Sequence, residues 1–454
     1  MGEVKENPLG IVPVSKLLLK FAGPAVISML VASLYNIVDQ VFIGWGVGML
    51  GNAATNVMYP IPTISISVGL LAGIGGAANY NICSGEKREE DGLRFTGNSF
   101  FLQILMGLMI MAVVLMFLRP LLHLFGATDQ VMPYAIDYTR VIAYGIPFFV
   151  VGTGGQHLIR ADRSPMYSML CAIAGAAVNV VLDPVFIFAL HWGVKGAAWA
   201  TVIGQLLTAF LIFYYFLRKA SMRLEKGHFK PGKNYCKRIF ALGAGATVFN
   251  LTIALSQIVM NNVIRAVGPA SDYGVEIPLA CVGIIVKVEQ IFHGIFIGIH
   301  QGCQPVVGYN YGAKKYDRVR ETYLCAARVC IIIGAAFFVI FMLFPREILA
   351  LFGTEEAMFF EFGIRFFRIY LIFALLNAIP LLTSGFFTAM GKGLQASLIP
   401  VVKNLFTFIP LLLLLSAFLG LDGVMYAGAI SDAIVIMISF LMARKQLKEL
   451  RVLS

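Results

Sequence analysis

"SLYNIVDQVFIG" (residues 33–44) closes a long apolar run that begins near Leu17, and Asp39 stands inside it. A run of that length and composition is a helix that crosses a bilayer. An ionised carboxylate in hydrocarbon costs several kcal/mol, so Asp39 must be neutralised there or put to use.

The rest of the chain repeats the first half of this observation. Of 454 residues, 59% are hydrophobic and only 13% charged, and mean hydropathy is +0.83. Soluble domains are about 25% charged. Apolar runs recur without the alternation of a membrane barrel, so the fold class is an all-α polytopic membrane protein. Twelve transmembrane helices are read at about 16–44, 52–83, 94–118, 133–160, 166–190, 195–217, 238–267, 277–309, 321–344, 361–389, 394–417 and 422–443. The net charge of +11 is read as a topology signal and not as a nucleic-acid surface. Lys and Arg gather in the termini and in alternate loops, whereas the opposite loops carry only Arg119, Lys195, Arg265, Arg346 and Arg365. That asymmetry places both termini in the cytoplasm. The first apolar run is too long for a cleavable signal peptide and contains Pro24 and Asp39. Seven scattered cysteines without CxxC spacing read as small apolar residues. No P-loop is present, "GVGMLG" (46–51) follows a span and is no dinucleotide loop, and the six dispersed histidines define no metal cluster. No cofactor and no enzymatic activity are expected.

The chain also repeats itself. "LFG" occurs at 124–126 and 351–353, an offset of 227. "SGEKRE" (84–89) and "YGAKKY" (311–316) share that offset, with Gly85 over Gly312 and Lys87 over Lys314. A basic stretch at 218–238 joins the halves. Two six-helix lobes follow, an N-lobe over 1–225 and a C-lobe over 226–454, related by a pseudo-two-fold along the membrane normal. A cleft between like lobes is a transporter design; a channel or receptor does not need one.

Two acids of the first half lie well inside their spans, Asp39 and Asp183 of "NVVLDPVFIFA". At 1.5 Å per residue both sit roughly 7–11 Å from the outer helix ends. Thr201 in the sixth span and Tyr138 in the fourth reach the same level. Asn179 precedes Asp183 by four residues and shares its helix face; Tyr35 and Asn36 do the same for Asp39, and Gln205 for Thr201. Pro24 is expected to bend the first helix or let it bend. Low-polarity surroundings disfavour ionisation of two adjacent carboxylates, so such a pair can carry a proton, or hold Na⁺ through Asp39, Asn179, Asp183 and Thr201. If the pair were merely structural it would need a basic partner, and within the first half's spans the candidate is Arg140. In the second half Glu289 is an intramembrane acid that either pairs across helices with Lys403 or lines the cleft; His293 is near it in sequence, Lys287 is two residues away and does not share its helix face, and Asp432 in the last span is a weaker candidate.

Taken together, "SLYNIVDQVFIG" with Pro24, "NVVLDPVFIFA", and "GAAWATVIGQ" (196–205) with Thr201 resemble prokaryotic members of the MATE family, the multidrug and toxic compound extrusion transporters. The resemblance covers essentially the whole chain. It implies cation-coupled antiport, in which H⁺ or Na⁺ enters as amphiphilic or cationic compounds leave. It also implies an N-lobe cation site of Asp39, Asn179, Asp183 and Thr201 lined by Tyr35 and Tyr138, and a first helix that bends about Pro24. Some members carry an acid in the seventh helix, where this chain has only Asn250, Gln257, Asn261 and Asn262. The competing reading is a flippase for lipid-linked oligosaccharides, which needs a basic cavity; Arg140, Lys287, Arg368 and Lys403 are its candidates. Membrane lipids and a small-molecule substrate are the expected partners, and the working form a monomer in the cell membrane.

Overall fold

The computed structural model describes residues 7–221, 223–350 and 357–453. Among the described residues, eleven helices are long and apolar enough to cross a bilayer: α1 (Val14–Gly46), α2 (Leu50–Gly85), α3 (Glu89–Met116), α4 (Met132–Ala161), α5 (Pro165–Ala189), α6 (Gly193–Arg218), α7 (Lys233–Ala270), α8 (Ile277–Gly312), α9 (Tyr316–Leu343), α11 (Gly393–Leu419) and α12 (Leu421–Leu453). The remaining crossing, α10, is broken. Its halves Ala357–Tyr370 and Ala378–Ala389 flank a turn over 371–377. The sequence predicts an unbroken helix there. Pro380 lacks the N–H that would bond back one turn, and Asn377 at the break sends its side chain to Asp432 Oδ2 at 2.9 Å. The helix α12 also runs past its predicted end, through to Leu453.

Two six-helix lobes pack side by side. The internal repeat reappears in the backbone. Lys87 and Lys314 both adopt a left-handed conformation, φ 60° and 58°. Gly85 and Gly312 lie where any Cβ would fall 2.1 Å from a carbonyl oxygen of the other lobe, that of Tyr309 and that of Ile82. The second "LFG" (351–353) lies outside the described residues. Each lobe's fifth span also departs from α geometry in the same way: a π-turn over Val185–Ala189 follows Pro184, and one over Val402–Phe408 follows Pro400. A proline disrupts the i to i−4 ladder, and wider turns absorb the mismatch.

Lipid tails are as apolar as leucine, so helices associate here through close packing and polar contacts more than through hydrophobic exclusion. The lobes meet along α1–α8 and α2–α7. The tightest approaches lie in the half of the bundle nearest the chain termini. A Cβ on Gly243 would sit 1.9 Å from the Leu71 carbonyl oxygen, and one on Gly302 2.5 Å from the Ala22 backbone. The N-terminal turn Pro8–Gly10 is tied to the far lobe, with Asn310 and Lys315 donating to Leu9 O at 2.9 Å and Gly10 O at 3.1 Å. The linker turn Lys226–Phe229 leans on α3, where Asn98 donates to His228 O at 3.2 Å. Inside the C-lobe, Phe292 stacks edge-on against Phe296, Phe337 and Phe341.

Candidate functional site

Four helices of the N-lobe deliver the predicted polar layer to one place. On α5, Asn179 and Asp183 stand one turn apart and both are buried. Asn179 Nδ2 donates to Asp183 Oδ1 at 3.4 Å and to Thr201 Oγ1 of α6 at 3.3 Å. The two helices come this close because Gly175 faces Gly204, where a Cβ on Gly204 would fall 2.6 Å from the Gly175 carbonyl oxygen. From α1, the Asp39 carboxyl comes beside that of Asp183. Tyr138 of α4 is buried and stands near both acids, as does Tyr35 of α1.

Three buried oxygens of this cluster have no protein donor: Asp39 Oδ1, Asp183 Oδ2 and Asn179 Oδ1. Buried polar atoms are ordinarily hydrogen-bonded. Ionised carboxylates are acceptors only, so their free oxygens call for a proton or a cation. Arg140 is exposed and makes no ion pair with either acid, so the structural alternative raised by the sequence is not realised. Asp39, Asp183, Asn179 and Thr201 bring side-chain oxygens together, with Asn179 turning its Nδ2 to Asp183 and Thr201 and leaving its Oδ1 free. That chemistry suits a hard monovalent cation or a shared proton. No group of three or more His, Cys, Asp or Glu fit for a metal exists among the described residues.

Between the lobes lies a cavity of about 390 Å³. Tyr35, Asn36, Asn179, Thr201 and Gln205 line it; Asp39, Asp183 and Tyr138 stand behind them. Pro24 also lies off the cavity, inside an unbroken α1, where its carbonyl accepts from Ser28 Oγ at 2.8 Å. Glu289 does not line the cavity either. It faces His293 at 3.7 Å, while Lys403 pairs with Asp432 at 2.9 Å. The predicted Glu289–Lys403 pairing is thus replaced: Lys403 takes Asp432, and Glu289 contributes only its nearby charge. The side chain of Lys287 lies outside the described residues. Of the four basic candidates for a pyrophosphate cavity, Arg140 and Arg368 are exposed, and Lys403 lines the chamber already paired with Asp432. Sequence reasoning passed over Arg160, His157 and His300, which also line the cavity. Arg160 sits at a span end and reads as a loop cation; the two histidines lie in different lobes, so only the packing brings them together.

A twelve-crossing, two-lobed bundle with a largely apolar chamber between the lobes, dotted with polar side chains, defines a multi-pass membrane transporter. The chain belongs to the MatE family, whose model matches residues 24–185 and 246–414, and so to the MATE multidrug efflux transporters. Multidrug export protein MepA from Staphylococcus haemolyticus is 25% identical over 420 residues, 92% of this chain and 91% of that protein. The protein of the same name from Staphylococcus aureus strain NCTC 8325 is 25% identical over 428 residues, 93% and 92% of the two chains. A structure described as an outward-facing conformation of a multidrug resistance MATE family transporter of the MOP superfamily has TM-score 0.91 at 24% identity, covering 98% of this chain and 99% of that one.

Proposed function

We propose that this chain is a cation-coupled antiporter that exports amphiphilic or cationic compounds across the cell membrane as H⁺ or Na⁺ enters. The observation that carries this reading is the Asp39–Asp183 pair, buried, without a basic partner among the described residues, and directly behind Asn179 and Thr201 on the chamber wall. With no cation bound, the two carboxylates repel in a poorly screened setting. A bound proton or Na⁺ removes that repulsion and draws α1 toward α5. Because α1 also packs along α8, its movement about Pro24 is felt at the lobe interface, where it reshapes the chamber and expels the substrate. The relatives' name, multidrug export protein, agrees with this direction of transport.

The driving force is adequate. One entering charge contributes about 2.3 kcal/mol per 100 mV, and a unit of pH gradient adds about 1.4 kcal/mol per proton. Together these support a gradient of roughly several hundred-fold for a neutral substrate; for a monocation exchanged one for one the charges cancel and about tenfold per pH unit remains. The Lys and Arg asymmetry places both termini in the cytoplasm, and a single chain supplies both the acid pair and the chamber, which suits a monomer. A flippase for lipid-linked pyrophosphates is disfavoured by a chamber with so few unpaired cations.

The test is transport by the purified protein in proteoliposomes, under a pH gradient alone or a Na⁺ gradient alone. Export driven by one of them is expected. Export that runs equally without either gradient would contradict the proposal.

A further inference from the structure

The chamber wall has a charge pattern that the acid pair does not use. Arg160 and Lys403 line it, and no acidic side chain among the described residues does. Lys403 is matched by Asp432 at 2.9 Å. Arg160 is not matched. It is 3% exposed on the last turn of α4. Its Nη1 donates to Ser168 Oγ at 2.9 Å, and no carboxylate among the described residues forms an ion pair with it. A guanidinium has five N–H donors in a fork shaped for carboxylate, so most of a buried charge's hydrogen-bonding capacity is uncommitted here. Nor is Arg160 a distant counter-ion for the acid pair. It is 22 residues beyond Tyr138 on the same helix, about 33 Å along the axis.

Two imidazoles attend it. His157 is one turn before Arg160, buried and on the same face. His300 comes from α8 in the other lobe and lines the same chamber as Arg160 and His157. Room for His300 is made by Gly385 of α10, where a Cβ would fall 1.7 Å from Nε2. Gln304 steadies the ring at 3.3 Å, while His300 Nδ1 has no protein partner. Phe148, Phe149, Phe249 and Leu381 supply apolar wall to the same chamber.

We propose that Arg160, His157 and His300 form an oxyanion subsite at the terminus-proximal end of the chamber, which takes the carboxylate of an apolar amphiphile. Substrates bearing a carboxylate, zwitterions included, are therefore bound in preference to their neutral analogues. One unpaired guanidinium matches one carboxylate; a pyrophosphate, with more charge, would need more unpaired cations than this wall offers. This inference rests on the reading of the interlobe cavity as the substrate chamber.

The test compares dansyl-undecanoic acid with its methyl ester, each titrated by fluorescence into the purified full-length protein in phosphatidylcholine nanodiscs. Charge-assisted hydrogen bonds to a buried guanidinium give the acid about tenfold or greater advantage. Arg160→Gln brings the acid down to the ester's affinity. Should that variant fail to fold, His300→Gln, at a less buried site, is expected to narrow the advantage by about threefold. Equal affinity of acid and ester in the wild type, or a preference that survives Arg160→Gln, overturns the subsite while leaving the chamber reading intact. Failure of both compounds to bind overturns the chamber reading with it. Loss of the acid's advantage in phosphatidylglycerol nanodiscs would reassign the site to a lipid headgroup and overturn the substrate proposal.

Discussion

The carboxyl of Asp39 on α1 lies beside the carboxyl of Asp183 on α5, and no basic side chain among the described residues pairs with either. Like charges at such range cannot both ionise comfortably in a sheltered site. Asp39→Asn or Asp183→Asn keeps the shape and removes one charge. Each variant is expected to reach the membrane at wild-type level and to unfold at the same temperature as the wild type or a little above it. Gradient-driven export should fall at least tenfold. Expression, thermal unfolding and vesicle transport of the two variants check this together.

Asn179 bridges Asp183 and Thr201 at 3.4 and 3.3 Å. Asn179→Leu deletes the donor to the acid and the oxygen available to a cation. A hydrogen bond to a charged group is worth about 1.5–3 kcal/mol. The half-saturating concentration of the coupling ion should therefore rise by about tenfold or more, with protein yield unchanged. Transport rate measured against ion concentration reports the shift.

The lobe interface depends on the absence of side chains. Gly243→Ala would place a Cβ 1.9 Å from the Leu71 carbonyl oxygen, whereas a Cβ on Gly23 meets nothing within 4 Å. Gly243→Ala is expected to destabilise by about 1–3 kcal/mol, as overpacking does. Gly23→Ala should be neutral or stabilising by about 0.5–1 kcal/mol, since alanine is the better helix former. Thermal unfolding of the two purified variants separates them.

Lys403, partly exposed to the chamber, pairs with the buried Asp432 at 2.9 Å in the C-lobe. Lys403→Met strands the acid and should cost roughly 3 kcal/mol. Lys403→Met with Asp432→Leu should recover most of that loss, because replacing both charges removes the uncompensated one. A double-mutant cycle on thermal stability measures the difference.

Much of this arrangement was legible in the sequence, and the reason is geometric. Helix rise converts residue counts into depth, so Asp39, Asp183, Thr201 and Tyr138 could be assigned to one layer before any packing was known. Period and offset likewise exposed the repeat that Lys87 and Lys314 display in their backbone angles. What stayed hidden depends on which faces meet. By sequence Lys403 is matched with Glu289, and only the packing of α11 against α12 gives it Asp432 instead. Arg160 reads as a loop cation until α4 is seen to carry it into the chamber wall. The break in α10 at Asn377 needs the Asp432 side chain across from it, which no local pattern reveals.

The central claim is that the Asp39–Asp183 pair trades its cation for substrate. The most direct measurement is the cation released when tetraphenylphosphonium is added to the purified protein, followed as proton release in weakly buffered solution and as displaced radioactive Na⁺ in parallel. The account predicts release of one of the two ions from the wild type and none from Asp39→Asn or Asp183→Asn. Release of the same amount from all three proteins would contradict it.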